Sequence, residues 1–155
     1  MAKPEGEKII ATNRKAHFNY EIVEKLEAGI VLTGTEVKSL REGKANLADS
    51  YVHFRNNEAF LLNCHISPYP NAGPFNHEPM RSRKLLMHQG EIVKLESKTQ
   101  EKGFTLIPLK LYFKRGRAKV ELGLGRGKKL YDKRETIKRR EQGREMDKAM
   151  KRSRS

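Results

Sequence analysis

Strict alternation of apolar and polar positions dominates the middle of the chain. In "HFNYEI", Phe18, Tyr20 and Ile22 fall on one side and Asn19 and Glu21 on the other, the two-residue period of a half-buried strand. The opening dozen residues show no such pattern and read as loose. After Gly29 the apolar run Ile30-Val31-Leu32 gives way to "TGTEVKSLREG". There Thr33 and Glu36 stand at capping-box spacing, Val37 and Leu40 lie one helical turn apart, and Gly43 suits a left-handed helix stop. A short helix over about residues 35–42 is predicted. "SYVHF" and "EAFLLNC" follow as two strands joined at Asn56-Asn57, because asparagine tolerates the left-handed backbone of a tight hairpin.

"SPYPNAGPFNHEP" holds four of the six prolines and reads as an irregular loop. Beyond it Ser82 stands where a cap would open a helix through "RKLLMHQGEIVKLESKTQ". Leu85, Leu86, Ile92, Val93 and Leu95 follow helical spacing, with a break at Gly90. In "TLIPLKLYFKRGRAKVELGL", Ile107, Leu109, Leu111 and Phe113 form one face, and Lys114-Arg115-Gly116-Arg117 makes the turn. Val120, Leu122 and Leu124 return on the same side. About six strands with two short helical insertions must hide their sheet edges, which favours a mainly β chain coiled into a small closed or nearly closed barrel.

Composition changes this picture at the ends. Hydrophobic residues are 36% and charged residues 34% of 155, so one domain with an appendage is expected. The chain carries a net charge of +14. From Arg126 onward 13 Lys or Arg face 5 Asp or Glu, so +8 of that excess sits in the last fifth. That segment has no continuous apolar face and is interrupted by Gly143, so it reads as disordered when free and helical once phosphates neutralise it. The predicted organisation is a flexible N-terminus over 1–8, a barrel over 9–125 and a basic tail over 126–155. A lone cysteine, Cys64, excludes an internal disulfide and reads as a buried, inert thiol despite its neighbour His65. No run approaches the roughly 20 apolar residues of a membrane span. A cytoplasmic protein with a polyanionic partner, nucleic acid above all, is expected.

Catalytic patterns are absent from the sequence. "GLGRGKK" has Leu122 and Lys129 where a nucleotide P-loop needs Gly and Ser or Thr, and it reads as a flexible basic hinge. The five histidines lack metal-ligand spacing. Carboxylates such as Glu91 and Glu96 sit beside lysines on a solvated helix face. No catalytic residue, metal or cofactor is expected. Basic clusters at Arg14-Lys15, Arg81 to Lys84 and Lys114 to Lys119, with His17, Tyr20, Tyr69 and Tyr131 near clusters or tail, suit phosphate neutralisation and base stacking. These features alone fit a barrel that binds structured RNA, including a ribosomal protein or assembly factor. An RNA-modifying enzyme would need a catalytic constellation that the sequence does not display.

The segments "ATNRKAHFNYEI", "LEAGIVLTGTEVKSLREGKANLADSYV", "HISPY", "RSRKLL", "TLIPLKLYFKRGRAKVELGLGRGKK" and "DKRE" together resemble the SsrA-binding protein family, also called small protein B. The resemblance runs from about residue 9 to 135, and beyond that the ends match in character only. It implies an oligonucleotide-binding-type barrel, monomeric when free, that binds the tRNA-like domain of transfer-messenger RNA. Protein and RNA then enter ribosomes stalled on messages lacking a stop codon. The implied RNA contacts are Asn13, Tyr20, Glu27 and Leu86 with Arg83 and Lys84 beside them, and the basic clusters add Arg14 and Lys119. His17 matches a position facing the decoding centre of the small subunit. Lys128, Lys129, Asp132, Lys133 and Arg134, with Arg126 before them, match the entry of a tail that acts in the message channel.

Overall fold

The computed structural model describes residues 7–101 and 103–127, so the basic tail from 128 onward and its expected disorder-to-helix change lie outside the described residues. The elements run β1 (Glu7–Thr12), α1 (Arg14–Asn19), β2 (Tyr20–Ile30), α2 (Gly34–Arg41), β3 (Ala45–Asn46), β4 (Tyr51–Arg55) and β5 (Glu58–Leu62). They continue with β6 (His65–Ile66), β7 (Arg83–Leu86), α3 (Gln89–Thr99), β8 (Phe104–Lys114) and β9 (Arg117–Gly127). Seven strands form one antiparallel sheet in the order β1-β8-β9-β2-β7-β5-β4, and β3 pairs with β6 beside it. The far strand β4 comes back against β8, so the sheet coils into a nearly closed barrel, the mainly β class expected.

Leu61, Leu85, Leu106, Leu111, Val120, Leu122 and Leu124 fill the interior, with Leu40 of α2 and Leu95 of α3 packed into the same core. Each is at most 1% exposed, and burying such a side chain stabilises by about 1.5–3 kcal/mol. Cys64 lies in this core, and burial pushes its thiol up to about 11, as suits an inert sulfur.

Local signals of strong chemistry hold. Thr33 accepts from the Glu36 amide while the Glu36 carboxylate accepts from the Thr33 amide at 2.8 Å, opening α2. Asn56 and Asn57 take φ of 52° and 62° in the β4–β5 hairpin. Arg115 and Gly116, at 54° and 80°, turn β8 into β9.

Five expectations are corrected. Residues 7–12 are a strand paired with β8, and a bulge between Ile9 and Ala11 breaks the alternation that would have revealed it. Residues 14–19 are a helical turn rather than the start of a strand. Asn13 caps it, accepting from the Ala16 amide at 3.2 Å, and Phe18 is 74% exposed. Arg83–Leu86 forms strand β7 with buried and exposed positions alternating, so Ser82 precedes a strand and Gly90 sits within the first turn of α3. The supposed single face of β8 is split at Leu109, where a bulge turns Ile107 and Leu109 outward under α1 and Leu111 and Phe113 inward. Gly123 to Gly127 belong to β9 and are no hinge. A Cβ at Gly123 would stand 2.8 Å from Leu109 Cδ1, and one at Gly125 would stand 2.9 Å from Tyr20 Cβ. Those glycines admit the layer that covers the sheet.

A buried ion cluster ties α2 to β7 and the proline-rich loop. Arg83 donates from Nε to Glu36 Oε2 at 2.6 Å, and both side chains are 0% exposed. Its remaining N–H groups reach the carbonyls of Cys64 at 2.7 Å and of Arg81 and Pro79 at 3.1 Å. Arg81 closes a second fork on Glu36, at 2.9 and 2.8 Å. His77 bridges Thr35 Oγ1 and the Ile66 carbonyl, each at 2.8 Å, fastening the loop once more. Burial pushes the Glu36 carboxyl up, but the hydrogen bonds from Arg81, the Thr33 amide and Arg83 outweigh it and hold it below its ordinary value.

Glu36→Gln should therefore destabilise the chain by about 3–5 kcal/mol in urea unfolding, since it leaves a buried guanidinium without its counter-charge. A folded carboxyl held below its unfolded value contributes stability above that value and loses it as pH falls. The wild-type chain should lose stability below about pH 4, and the Glu36→Gln chain should lack that part of the acid dependence. Equal stability of the two chains at pH 7 would contradict the clamp.

Candidate nucleic-acid interface

In an antiparallel sheet directly opposed residues share a face, so the register places side chains side by side. Leu86 of β7 opposes Gly29 of β2, Gly29 opposes Lys119 of β9, Lys119 opposes Tyr112 of β8, and Tyr112 opposes Ile9 of β1. This row crosses the outer face of the barrel. Glu27 lies two residues before Gly29 and joins the same face. A Cβ at Gly29 would meet Leu86 at 3.3 Å, so the glycine lets that leucine lie across β2. Leu86 remains 55% exposed, an apolar shelf bounded by the Lys119 and Glu27 head groups.

The Tyr112 hydroxyl donates a hydrogen bond to Glu27 Oε2, and Lys114 Nζ lies 3.5 Å from the same oxygen. Tyr112 is the main cause that holds the Glu27 carboxyl below its ordinary value. Partial burial opposes it, and Lys114 and Lys119 assist. Burial and the Glu27 carboxylate in turn push the phenol up. The site is thus an ionised acceptor, an ammonium donor and an apolar ledge within one patch. Such a set accepts from base N–H or ribose hydroxyl groups, neutralises phosphate and packs on a sugar or base face.

A second group gathers at α1. Arg14 and His17 are exposed on it, and Tyr20 ends it, seated on Gly125. Asn13 stands differently: it is 4% exposed, and its amide nitrogen donates to the carbonyls of Leu47 at 3.2 Å and Pro108 at 2.9 Å. With its oxygen capping α1, Asn13 orients this patch from beneath. Arg83 is also inside, committed to Glu36, while Lys84 on the alternate side of β7 is exposed and pairs with Glu58 at 2.8 Å. Arg126 lies within β9. Its guanidinium stands 5.6 Å from the centre of the Phe104 ring, and its Nε is 3.7 Å from Glu21. Lys128, Lys129, Asp132, Lys133 and Arg134 lie outside the described residues.

The structure therefore brings together Glu27, Leu86 and Lys119, and separately Arg14, His17 and Tyr20 over Asn13. Sequence reasoning missed Tyr112 and Gly29. The signal for Tyr112 was present: Lys110, Tyr112 and Lys114 alternate along β8 on the polar side of its apolar run, where a tyrosine with a buried ring needs a partner for its hydroxyl. Among the described residues no group of three or more His, Cys, Asp or Glu could hold a metal ion. No described helix is long and apolar enough to cross a membrane.

Comparison with known proteins identifies the family of the chain. An SsrA-binding protein from Trichodesmium erythraeum is 62% identical over 154 residues, spanning 97% of this chain and 99% of the relative. One from Acaryochloris marina is 61% identical over 149 residues, covering 96% and 97%. A solved chain described as "tmRNA-SmpB: a journey to the center of the bacterial ribosome" superposes with a TM-score of 0.66. It shares 52% identity and covers 77% of this chain and 84% of its own. The family model of the SmpB protein matches residues 10–152, nearly the whole length, and the chain belongs to the SmpB protein family.

Proposed function

We propose that this chain binds transfer-messenger RNA at its tRNA-like domain and delivers it to stalled ribosomes for trans-translation. It acts there as a binding protein with no reaction of its own. The observation that carries the reading is the row of Leu86, Gly29 and Lys119 with Glu27 on the outer face of the barrel, in a chain of the SmpB protein family. Lys119, Lys84 and Arg14 supply positive charge to phosphate, Tyr20 and Leu86 offer flat apolar surface, and Glu27 accepts hydrogen bonds. Asn13 and Arg83 serve the same contact by holding α1 and β7 in place. The site of action this assigns is the ribosome, and with it the cytoplasm. A ribosomal protein or assembly factor would need the same charge, but the matches to SsrA-binding proteins over the full length favour the first reading.

We divide the labour between the sheet and the tail. Arg126 opposes Glu21 and Phe104 within β9, which supports assigning residues through 127 to the RNA-binding unit and those from 128 to the tail. We assign His17 to the decoding centre, and the tail from Lys128, through Lys129, Asp132, Lys133 and Arg134, to the empty message channel. There ribosomal phosphates would offset its charge.

A chain truncated after Gly127 should bind the isolated tRNA-like RNA within about tenfold of the full chain, or ~1.4 kcal/mol. The same truncation, and Asp132→Ala with Lys133→Ala and Arg134→Ala in the full chain, should abolish peptide tagging on stalled ribosomes. Loss of RNA binding on truncation, or normal tagging by both variants, would refute the division.

Glu27→Ala raises the net charge, so attraction to phosphate alone predicts tighter binding. A specific hydrogen bond to the carboxylate predicts weaker binding instead, by about 1.5–3 kcal/mol. Titration of the tRNA-like RNA across a salt series decides between them, and tighter binding at every salt concentration would count against the site.

A further inference from the structure

Tyr112 is 3% exposed, so its ring lies against the sheet out of reach of any RNA. Ile9 and Lys119 flank it in register, and the Lys110 ammonium stands 5.2 Å from its ring centre. Only its hydroxyl has work to do, and that hydroxyl ends on Glu27 Oε2. Lys114 approaches the same oxygen at 3.5 Å. Among the described residues Oε1 of Glu27 has no partner, and 38% of this side chain's surface is open to solvent.

A free glutamate on an exposed strand samples several rotamers and folds toward the nearest ammonium. Here four cations, Lys114, Arg115, Arg117 and Lys119, surround the recess beside Glu27. A lysine that captured both oxygens would leave the patch a plain phosphate binder. Tyr112 prevents this, because a hydrogen bond from a ring packed against the sheet holds one oxygen, and the other is left without a partner among the described residues. We infer that Tyr112 is the positioning residue of the RNA face, holding Glu27 so that Oε1 selects a hydrogen-bond-donating edge, a base N–H or a ribose hydroxyl, over phosphate. The inference rests on the RNA-binding reading above.

Tyr112→Phe removes one hydroxyl, keeps the ring and changes no charge. Binding of the full-length chain to a transcript of the tRNA-like domain is measured for the wild type, Tyr112→Phe, Glu27→Ala and the double variant. Tyr112→Phe should weaken binding about three- to tenfold, with the salt slope unchanged. In the Glu27→Ala chain it should cause no further loss, because the group it orients is gone. A loss of the same size in both backgrounds marks a merely structural effect and overturns the proposal, as does no loss in the wild-type background. If the wild-type chain does not bind the transcript, the RNA reading itself fails and takes this inference with it. Additive variants of a chain that binds sink only the role of Tyr112.

Discussion

The buried pairing of Glu36 with Arg83 is the constraint on which the rest depends. A guanidinium and a carboxylate, both at 0% exposure, are tolerable only if every donor and acceptor is matched. Here they are matched by Arg81, the Thr33 amide and the carbonyls of Cys64, Pro79 and Arg81. That requirement fixes the N-terminus of α2, the end of the proline-rich loop and the first residue of β7 at one point. Because a strand alternates, Arg83 pointing inward forces Lys84 outward, Leu85 inward and Leu86 outward. The apolar shelf of the proposed RNA face is therefore placed by a buried salt bridge three residues away.

The same face depends on the two bulges that flank β9. Between Ile22 and Glu24 in β2, and between Pro108 and Lys110 in β8, one extra residue reverses the sidedness of the strand. On one side of the bulges Tyr20, Ile22, Ile107 and Leu109 pack outward, with Ala16 of α1 against them and the glycines of β9 beneath. On the other side Glu27, Gly29, Lys110 and Tyr112 point outward into a polar surface. One continuous sheet thus presents an apolar seat for α1 and a charged patch. The glycines that resemble a phosphate loop in the sequence serve close packing instead.

How much of this the sequence disclosed follows from how local each signal is. The capping box at Thr33 and Glu36, the Asn56-Asn57 hairpin and the Arg115-Gly116 turn depend on neighbours within four residues, and all stand as read. "RKLL" misled because two strand faces of an apolar-basic tetrad also fit a helix, and only the distant Glu36 decides which way Arg83 points. "HFNYEI" misled because Asn13, as a cap with bonds to Leu47 and Pro108, overrides the alternation that follows it. Bulges leave no local mark, so the split face of β8 was not legible. Lys119 was legible from its basic cluster, but Glu27 and Leu86 only through resemblance, since 59 residues separate them and the sheet register brings them together. Tyr112 carried its own clue but no indication of its partner, 85 residues away.

The central claim is that the outer face around Leu86 is the surface that meets the RNA. A photo-crosslinking phenylalanine analogue at position 86, activated in living cells, tests it most directly. The side chain is already exposed, so the probe stays on the surface, and the RNA attached to the purified chain can be sequenced. The account predicts one dominant species, transfer-messenger RNA, joined through its tRNA-like domain. Ribosomal RNA as the main product from position 86, or no RNA at all, would contradict it.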